Sequence, residues 1–272
     1  MIVALLQFCA GTDKAANLTR AIAMSQEALE RGAQFILMPE VFNFRGDGRN
    51  KELFANATER IPGPSVAPFS LLAKKHHVSF LLGSILEKTT SALAYNTSVF
   101  IDSRGKIVAK YRKIHLFDAR IDDKIVREAD CFRAGRRPVM VKMGEFRMGL
   151  SVCYDLRFPG LYQNYASKGA EILTVPSCFT KKTGKAHWEA LLRARAIENL
   201  SYVLAPNQIG IDVRGIQAHG HSLIISPWGE VIARGSAGTQ EIIFGEINMN
   251  EVRKARQALP GIINGRSICL NA

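Results

Sequence analysis

The sequence predicts a layered α/β protein with helices outside its sheets. Three observations carry this: short runs of consecutive apolar residues recur along the chain, helical periodicity falls between them, and beyond about residue 200 strand patterns dominate. The first run, Ile2 to Cys9, reads as a strand covered on both faces. It has no basic leading segment and passes straight into polar Gly-Thr-Asp-Lys, so it is expected to be a buried strand rather than an export signal. Thr12 is the expected N-cap of a first helix, with Leu18, Ala21, Ile22, Ala28 and Leu29 at helical spacing and Gly32 past its end. Further strands are expected at Phe35 to Met38, Val78 to Leu86, Ala94 to Ile101, Ile107 to Tyr111, Val139 to Met143, Met148 to Val152 and Ile172 to Val175. Pro159 opens a second helix towards Gly169, and a third runs from His187 to Leu200 with Leu191, Ala194, Ile197 and Leu200 along one face. Strands at Tyr202 to Ala205, Ser222 to Ile225 and Ile242 to Ile247 and a helix from Asn250 to Ala258 complete the pattern.

The chain has 272 residues, and no repeat or Pro/Gly/Ser-rich linker divides it, so one domain is expected. Hydrophobic residues make up 47%, enough for a sizeable core, and no apolar run approaches the roughly 18 residues of a membrane span. Cys9, Cys131, Cys153, Cys178 and Cys269 are an odd set without C-x-x-C spacing, which fits a reducing cytoplasm. The formal charge is +12, but the basic residues are scattered. The densest groups, Lys74-Lys75, Arg112-Lys113, Arg136-Arg137 and Lys181-Lys182, are pairs rather than aromatic-interleaved runs, so neither nucleic acid nor a membrane is an expected partner.

Three apolar segments end in a reactive polar residue: Phe35 to Glu40, Ile107 to Lys113 and Leu150 to Cys153. Strand ends are where α/β sites gather. A carboxylate, an ammonium and a thiol are the parts acyl transfer needs: Glu40 as base, Lys113 as fixed positive charge, Cys153 as nucleophile. The backbone N–H of Tyr154 follows the nucleophile and is a natural oxyanion donor. Spacing alone also fits plainer readings, with Cys153 as core filler and Glu40 with Lys113 as an ion pair. Cys9 and Cys178 read as filler or pocket wall. His219 and His221 form an H-x-H pair with no third ligand of suitable spacing, so no metal is expected.

The surrounding words favour chemistry. Leu-Met-Pro-Glu at 37–40, AYNTS at 94–98, GKIVAKYRKIHLFD at 105–118, GLSVCYDLRFP at 149–159 and GKAHWEALLRARAIEN at 184–199 occur in order, and over nearly its whole length the chain resembles the nitrilase superfamily of carbon-nitrogen hydrolases. The resemblance implies a four-layer α-β-β-α sandwich, a homodimer or higher homo-oligomer, and a catalytic triad mapping onto Glu40, Lys113 and Cys153. A second family glutamate, which helps position substrate and assists proton transfer, matches Glu128 in READCFRAG. It gives His115 a structural role, and His187 is expected to fix the loop before its helix. No cofactor is implied. CYDLRFP, PSCF at 176–179 and GKAHWE look like the branch that contains deaminated glutathione amidase and omega-amidase, where the arginine four residues after the nucleophile, here Arg157, reads a substrate carboxylate. Phe117, Phe179 and Thr183 match pocket-wall positions. The plainer reading of Arg157 is a pair with Asp155. Pro159, the PS before Cys178 and ARAIE lean towards deaminated glutathione as the small-molecule amide substrate, while HLFD and the Glu128 word lean towards the omega-amides. An N-carbamoyl or aliphatic amidase, and a basic binding protein without catalysis, are the alternatives.

Overall fold

Along the first strand Val3 and Leu5 point into one apolar cluster and Ala4 and Leu6 into another, and all four are fully buried, so this strand is covered on both faces. The computed structural model describes residues 1–121 and 124–260; the tail GRSICLNA at 265–272, with Cys269, lies outside the described residues. In chain order the elements are β1 (Ile2–Gln7), α1 (Lys14–Glu30), β2 (Phe35–Leu37), α2 (Lys51–Ala57), α3 (Ala67–His76), β3 (Ser79–Glu87), β4 (Tyr95–Ile101), β5 (Ile107–Arg112), β6 (Asp118–Ile121), β7 (Lys124–Arg127), β8 (Val139–Met143) and β9 (Phe146–Leu150). Then follow α4 (Pro159–Ser167), β10 (Ile172–Thr174), α5 (Lys181–Asn199), β11 (Tyr202–Ala205), β12 (Leu223–Ile225), β13 (Val231–Arg234), β14 (Glu241–Glu246) and α6 (Met249–Ala258).

The strands form two sheets of six, ordered β14-β1-β2-β3-β4-β5 and β13-β12-β11-β10-β9-β8, and a separate β6-β7 hairpin. Each large sheet is parallel at its centre and antiparallel outside: β1, β2 and β3 run together in one, β9, β10 and β11 in the other. Helices supply the crossovers that parallel neighbours require, and they cover the outer faces. Ala21, Met24 and Ala28 of α1 and Phe69 and Ala73 of α3 pack on Ile36, Phe80 and Leu82. The inward face of the first sheet, Leu5, Leu37 and Leu81, belongs to the same buried cluster as Leu150, Leu173 and Leu204 of the second. The result is the four-layer α-β-β-α sandwich.

Local differences from the sequence expectation have simple causes. The N-cap of α1 is Asp13, not Thr12, because its Oδ1 reaches the Ala16 N–H at 3.0 Å. Helix α5 begins six residues earlier than His187, at Lys181, because the Thr180 side chain caps it by accepting from the Thr183 N–H; Gly184 in its first turns lies against His219, which an added Cβ would meet at 2.2 Å. Among the described residues no helix is long and apolar enough to cross a membrane.

Candidate active site

Each of the three reactive side chains leaves a strand end through a constrained turn. Glu40 follows β2, and the next residue, Val41, has φ 48°, a conformation unfavourable for a β-branched residue. Its N–H is held by Ser84 Oγ at 2.8 Å. The 38–40 segment can lie this close to β3 because position 83 is glycine: a Cβ there would sit 1.9 Å from the Met38 carbonyl oxygen. Lys113 follows β5, with its N–H on the Asn96 carbonyl at 2.9 Å. Cys153 stands three residues beyond β9 with φ 49° and opens a 3₁₀ turn, Cys153–Arg157, while its N–H bonds the Pro176 carbonyl at 3.0 Å. Holding a non-glycine residue left-handed costs about 1–3 kcal/mol, a cost met by the structure around it.

That turn is fixed by Asp155, which is fully buried. Its Oδ2 accepts from Val152 N at 2.9 Å and Tyr111 Oη at 2.7 Å, and its Oδ1 accepts from His115 N at 3.0 Å and lies 2.7 Å from His115 Nδ1. Asp155 therefore ties the Cys153 turn to the segment carrying Lys113. The pairing of Arg157 with Asp155 is absent, because the carboxylate is already saturated. His115 also stacks on Phe158, ring centroids 3.5 Å apart.

Lys113 is buried between two carboxylates, with Nζ 2.8 Å from Glu40 Oε1 and 2.8 Å from Glu128 Oε2. Burial alone would lower its pKa, but Glu128 and Glu40 outweigh that and hold it well above the ordinary value. Glu40 Oε1 also accepts from Asn96 Nδ2 at 2.9 Å, and its Oε2 accepts from the Cys178 N–H at 2.9 Å. Glu128 Oε2 accepts from the Phe117 N–H at 2.8 Å. Burial, with the charge of Glu40, raises the Glu128 carboxyl despite the opposing pull of Lys113. The Cys153 thiol is pushed well above its ordinary value, first by burial and then by the Glu40 charge, with Lys113 offsetting only part.

Glu40, Glu128 and Cys153 line one cavity, joined there by Cys178, Arg45 and Asp212. Phe117, Tyr154, Arg157, Phe179 and Thr183 line a smaller cleft that shares Cys153 with it. The structure thus brings together every site residue expected from the sequence. The Arg157 guanidinium lies over the rings of Phe179 (5.3 Å) and Tyr154 (5.6 Å), and both its terminal nitrogens are 3.4 Å from His187 Nδ1, so His187 faces Arg157 rather than fixing the loop before its helix. No carboxylate among the described residues pairs with it. The His219 and His221 rings lie 4.7 Å apart, tilted by 57°, and among the described residues no group of three His, Cys, Asp or Glu side chains is placed to hold a metal. Sequence reasoning missed Asn96, Ser84 and Arg45. Asn96 lay inside one of the quoted words, while Ser84 and Arg45 carry no local signal.

Comparison with known proteins gives the family and the fold. The family model described as carbon-nitrogen hydrolase matches residues 2–257. The chain is 37% identical over 267 residues to the omega-amidase NIT2 of Bos taurus, covering 97% of this chain and 95% of that protein. Its structure resembles the Caenorhabditis elegans NitFhit protein, with TM-score 0.89 at 35% identity over 98% of this chain and 65% of that one. It also resembles Saccharomyces cerevisiae Nit3, described as a member of branch 10 of the nitrilase superfamily, with TM-score 0.86 at 31% identity over 96% and 94%.

Proposed function

The chain belongs to the carbon-nitrogen hydrolase family, and from that premise we propose that Cys153, Glu40 and Lys113 act as its catalytic triad in hydrolysing the ω-amide of a 2-oxo dicarboxylate. As a family member it is a hydrolase of carbon-nitrogen bonds other than peptide bonds. The observation that carries the site assignment is the buried Lys113, paired with both Glu40 and Glu128, the two carboxylates that line the same cavity as Cys153.

The raised thiol pKa sets the order of events. Cys153 rests as a thiol, so Glu40 takes its proton while Sγ bonds to the carboxamide carbon. Lys113 and the Tyr154 N–H stabilise the charge that develops on the carbonyl oxygen. Collapse of the tetrahedral adduct breaks the C–N bond, and the departing amine takes the proton from Glu40. Glu40 then deprotonates water, which attacks the thioester; the acid leaves and Cys153 recovers its proton. Glu128 positions Lys113 and orders the cavity wall through the Phe117 N–H.

Arg157, a cation in the cleft with no protein carboxylate opposite, suits the substrate's 2-oxo carboxylate, which a planar guanidinium can grip by two hydrogen bonds. Similarity to omega-amidases supports this acyl half. 2-Oxoglutaramate and deaminated glutathione share it and differ in what leaves, ammonia or cysteinylglycine. Coupled measurement of 2-oxoglutarate release from each, with native enzyme and Cys153→Ala, tests the reading. Native turnover abolished in the variant is expected; turnover that survives in Cys153→Ala, or no turnover of either amide, overturns it.

A further inference from the structure

Arg45 is 4% exposed and has no carboxylate among the described residues within ion-pair distance. Its Nη1 donates to the Ile209 carbonyl and its Nη2 to the Ile216 carbonyl, each at 2.9 Å, and its Nε has no partner. The acid on the same wall, Asp212, is engaged elsewhere: Oδ2 takes the Arg214 guanidinium and Oδ1 the N–H groups of Arg214 and Ile216. A guanidinium keeps its proton even when buried. Two carbonyl dipoles and the Cys9 sulfur, 3.9 Å from Nη1, accept from the guanidinium without supplying a carboxylate, and a buried charge left in that state is costly unless an anion completes it.

The position of Arg45 says where that anion belongs. It lines the cavity of Glu40, Cys153 and Cys178, and its charge is felt at the Cys178 thiol. Arg157 lines the adjoining cleft, and the two spaces share Cys153, Cys178, Phe117 and Thr180. The sulfur therefore sits where two chambers meet; Arg157 lines the smaller, and Arg45, Arg127 and Arg214 line the larger, where Arg214 is paired with Asp212 and Arg45 is the buried one. With the acyl half directed to Arg157, the departing amine extends towards Arg45.

We propose that Arg45 is a specificity-determining residue that binds a carboxylate carried by the leaving amine, so that the preferred substrate is anionic on both sides of the scissile amide. This rests on the amidase reading above for which half faces Arg157. It predicts discrimination between two amides of 2-oxoglutarate that differ only at the far end: one formed with glycine, ending in a carboxylate, and one formed with glycinamide, ending in a neutral carboxamide.

Calorimetric titration of Cys153→Ala with both intact amides tests it, because binding is then measured without turnover. The glycine amide is expected to bind at least about tenfold more tightly, the low end for a charged hydrogen-bonded contact. Adding Arg45→Met should bring the ratio to about one while leaving the glycinamide amide within about twofold of its former affinity; Arg45→Lys, which keeps the charge and loses the fork, should retain part of the preference. A ratio near one in Cys153→Ala overturns the proposal, as does a preference that persists in Arg45→Met. Equal weakening of both amides in Arg45→Met also overturns it, since a guanidinium that only clamps the 209–217 loop gives that result. Should Arg45→Met not fold, the ratio in Cys153→Ala and its change in Arg45→Lys decide. Release of 2-oxoglutarate by native enzyme is read separately: charge-selective binding without release removes the reaction and keeps the subsite, and release without charge selectivity does the reverse.

Discussion

Replacing Asp155 by asparagine changes one atom and no volume, yet the structure predicts a large effect. Asp155 faces four groups through two oxygens, and two of them, the N–H groups of Val152 and His115, can only donate. An asparagine has one acceptor oxygen, so whichever way the amide is turned, its NH₂ confronts one of these backbone donors. The Tyr111 hydroxyl and the His115 ring can each reverse roles; a backbone N–H cannot. One buried N–H left unsatisfied costs about 1–3 kcal/mol, and loss of charge assistance in the remaining bonds adds about 1 kcal/mol, so roughly 2–4 kcal/mol is expected in all. For a chain of this size that lowers Tm by roughly 4–7 °C. Because the same bonds hold the Cys153 turn against the Lys113 segment, kcat should fall more than KM changes. Differential scanning calorimetry and single-turnover acylation measure the two effects. A Tm within about 1 °C of native, with unchanged acylation, would refute the argument that Asp155 joins these segments.

Two further outcomes follow from the site. Alkylation of Cys153 by iodoacetamide should climb about tenfold per pH unit between pH 7 and pH 9, since the raised thiol pKa leaves the thiolate scarce throughout that range; a plateau beginning near pH 6 would show a preformed thiolate and exclude Glu40 as the base acting during attack. Gly83→Ala should reduce kcat/KM at least about tenfold and lower Tm, because the new methyl would meet backbone rather than a movable side chain and so displace the turn that aims Glu40; near-native kinetics for this variant would show that the strand end tolerates the shift.

Much of this architecture was legible in the sequence, for an identifiable reason. The strands of both central parallel regions are buried on both faces, so they appear as unbroken apolar runs such as Val3 to Leu6 and Phe35 to Met38. The β6-β7 hairpin and β13 were not found, since Asp118–Ile121 interleaves charges with apolar residues and Val231–Arg234 is half-exposed. Helices α2 and α3 are short, and Pro68 early in α3 reads as a break although it stands in the first turn, where proline is tolerated. At the site, residue types were readable at strand ends and convergence was not. Nothing local in Ser84, Gly83 or Asn96 announces that they place Glu40. The Arg157 alternative could not be settled until Asp155 was seen to have its acceptor positions filled. Arg45 needed the whole fold, because what matters about it is that no acid among the described residues pairs with it.

The division of labour between the two sheets has a consequence for how the protein fails. The carboxylate and the ammonium hang from one half of the sandwich and the sulfur from the other, so neither half carries the proposed triad by itself. Slippage of the halves by an ångström would leave every strand and helix intact and still separate base from nucleophile. Loss of turnover on heating should accordingly precede loss of the far-ultraviolet circular dichroism signal, which makes the reaction itself the finest gauge of how well the two halves are docked.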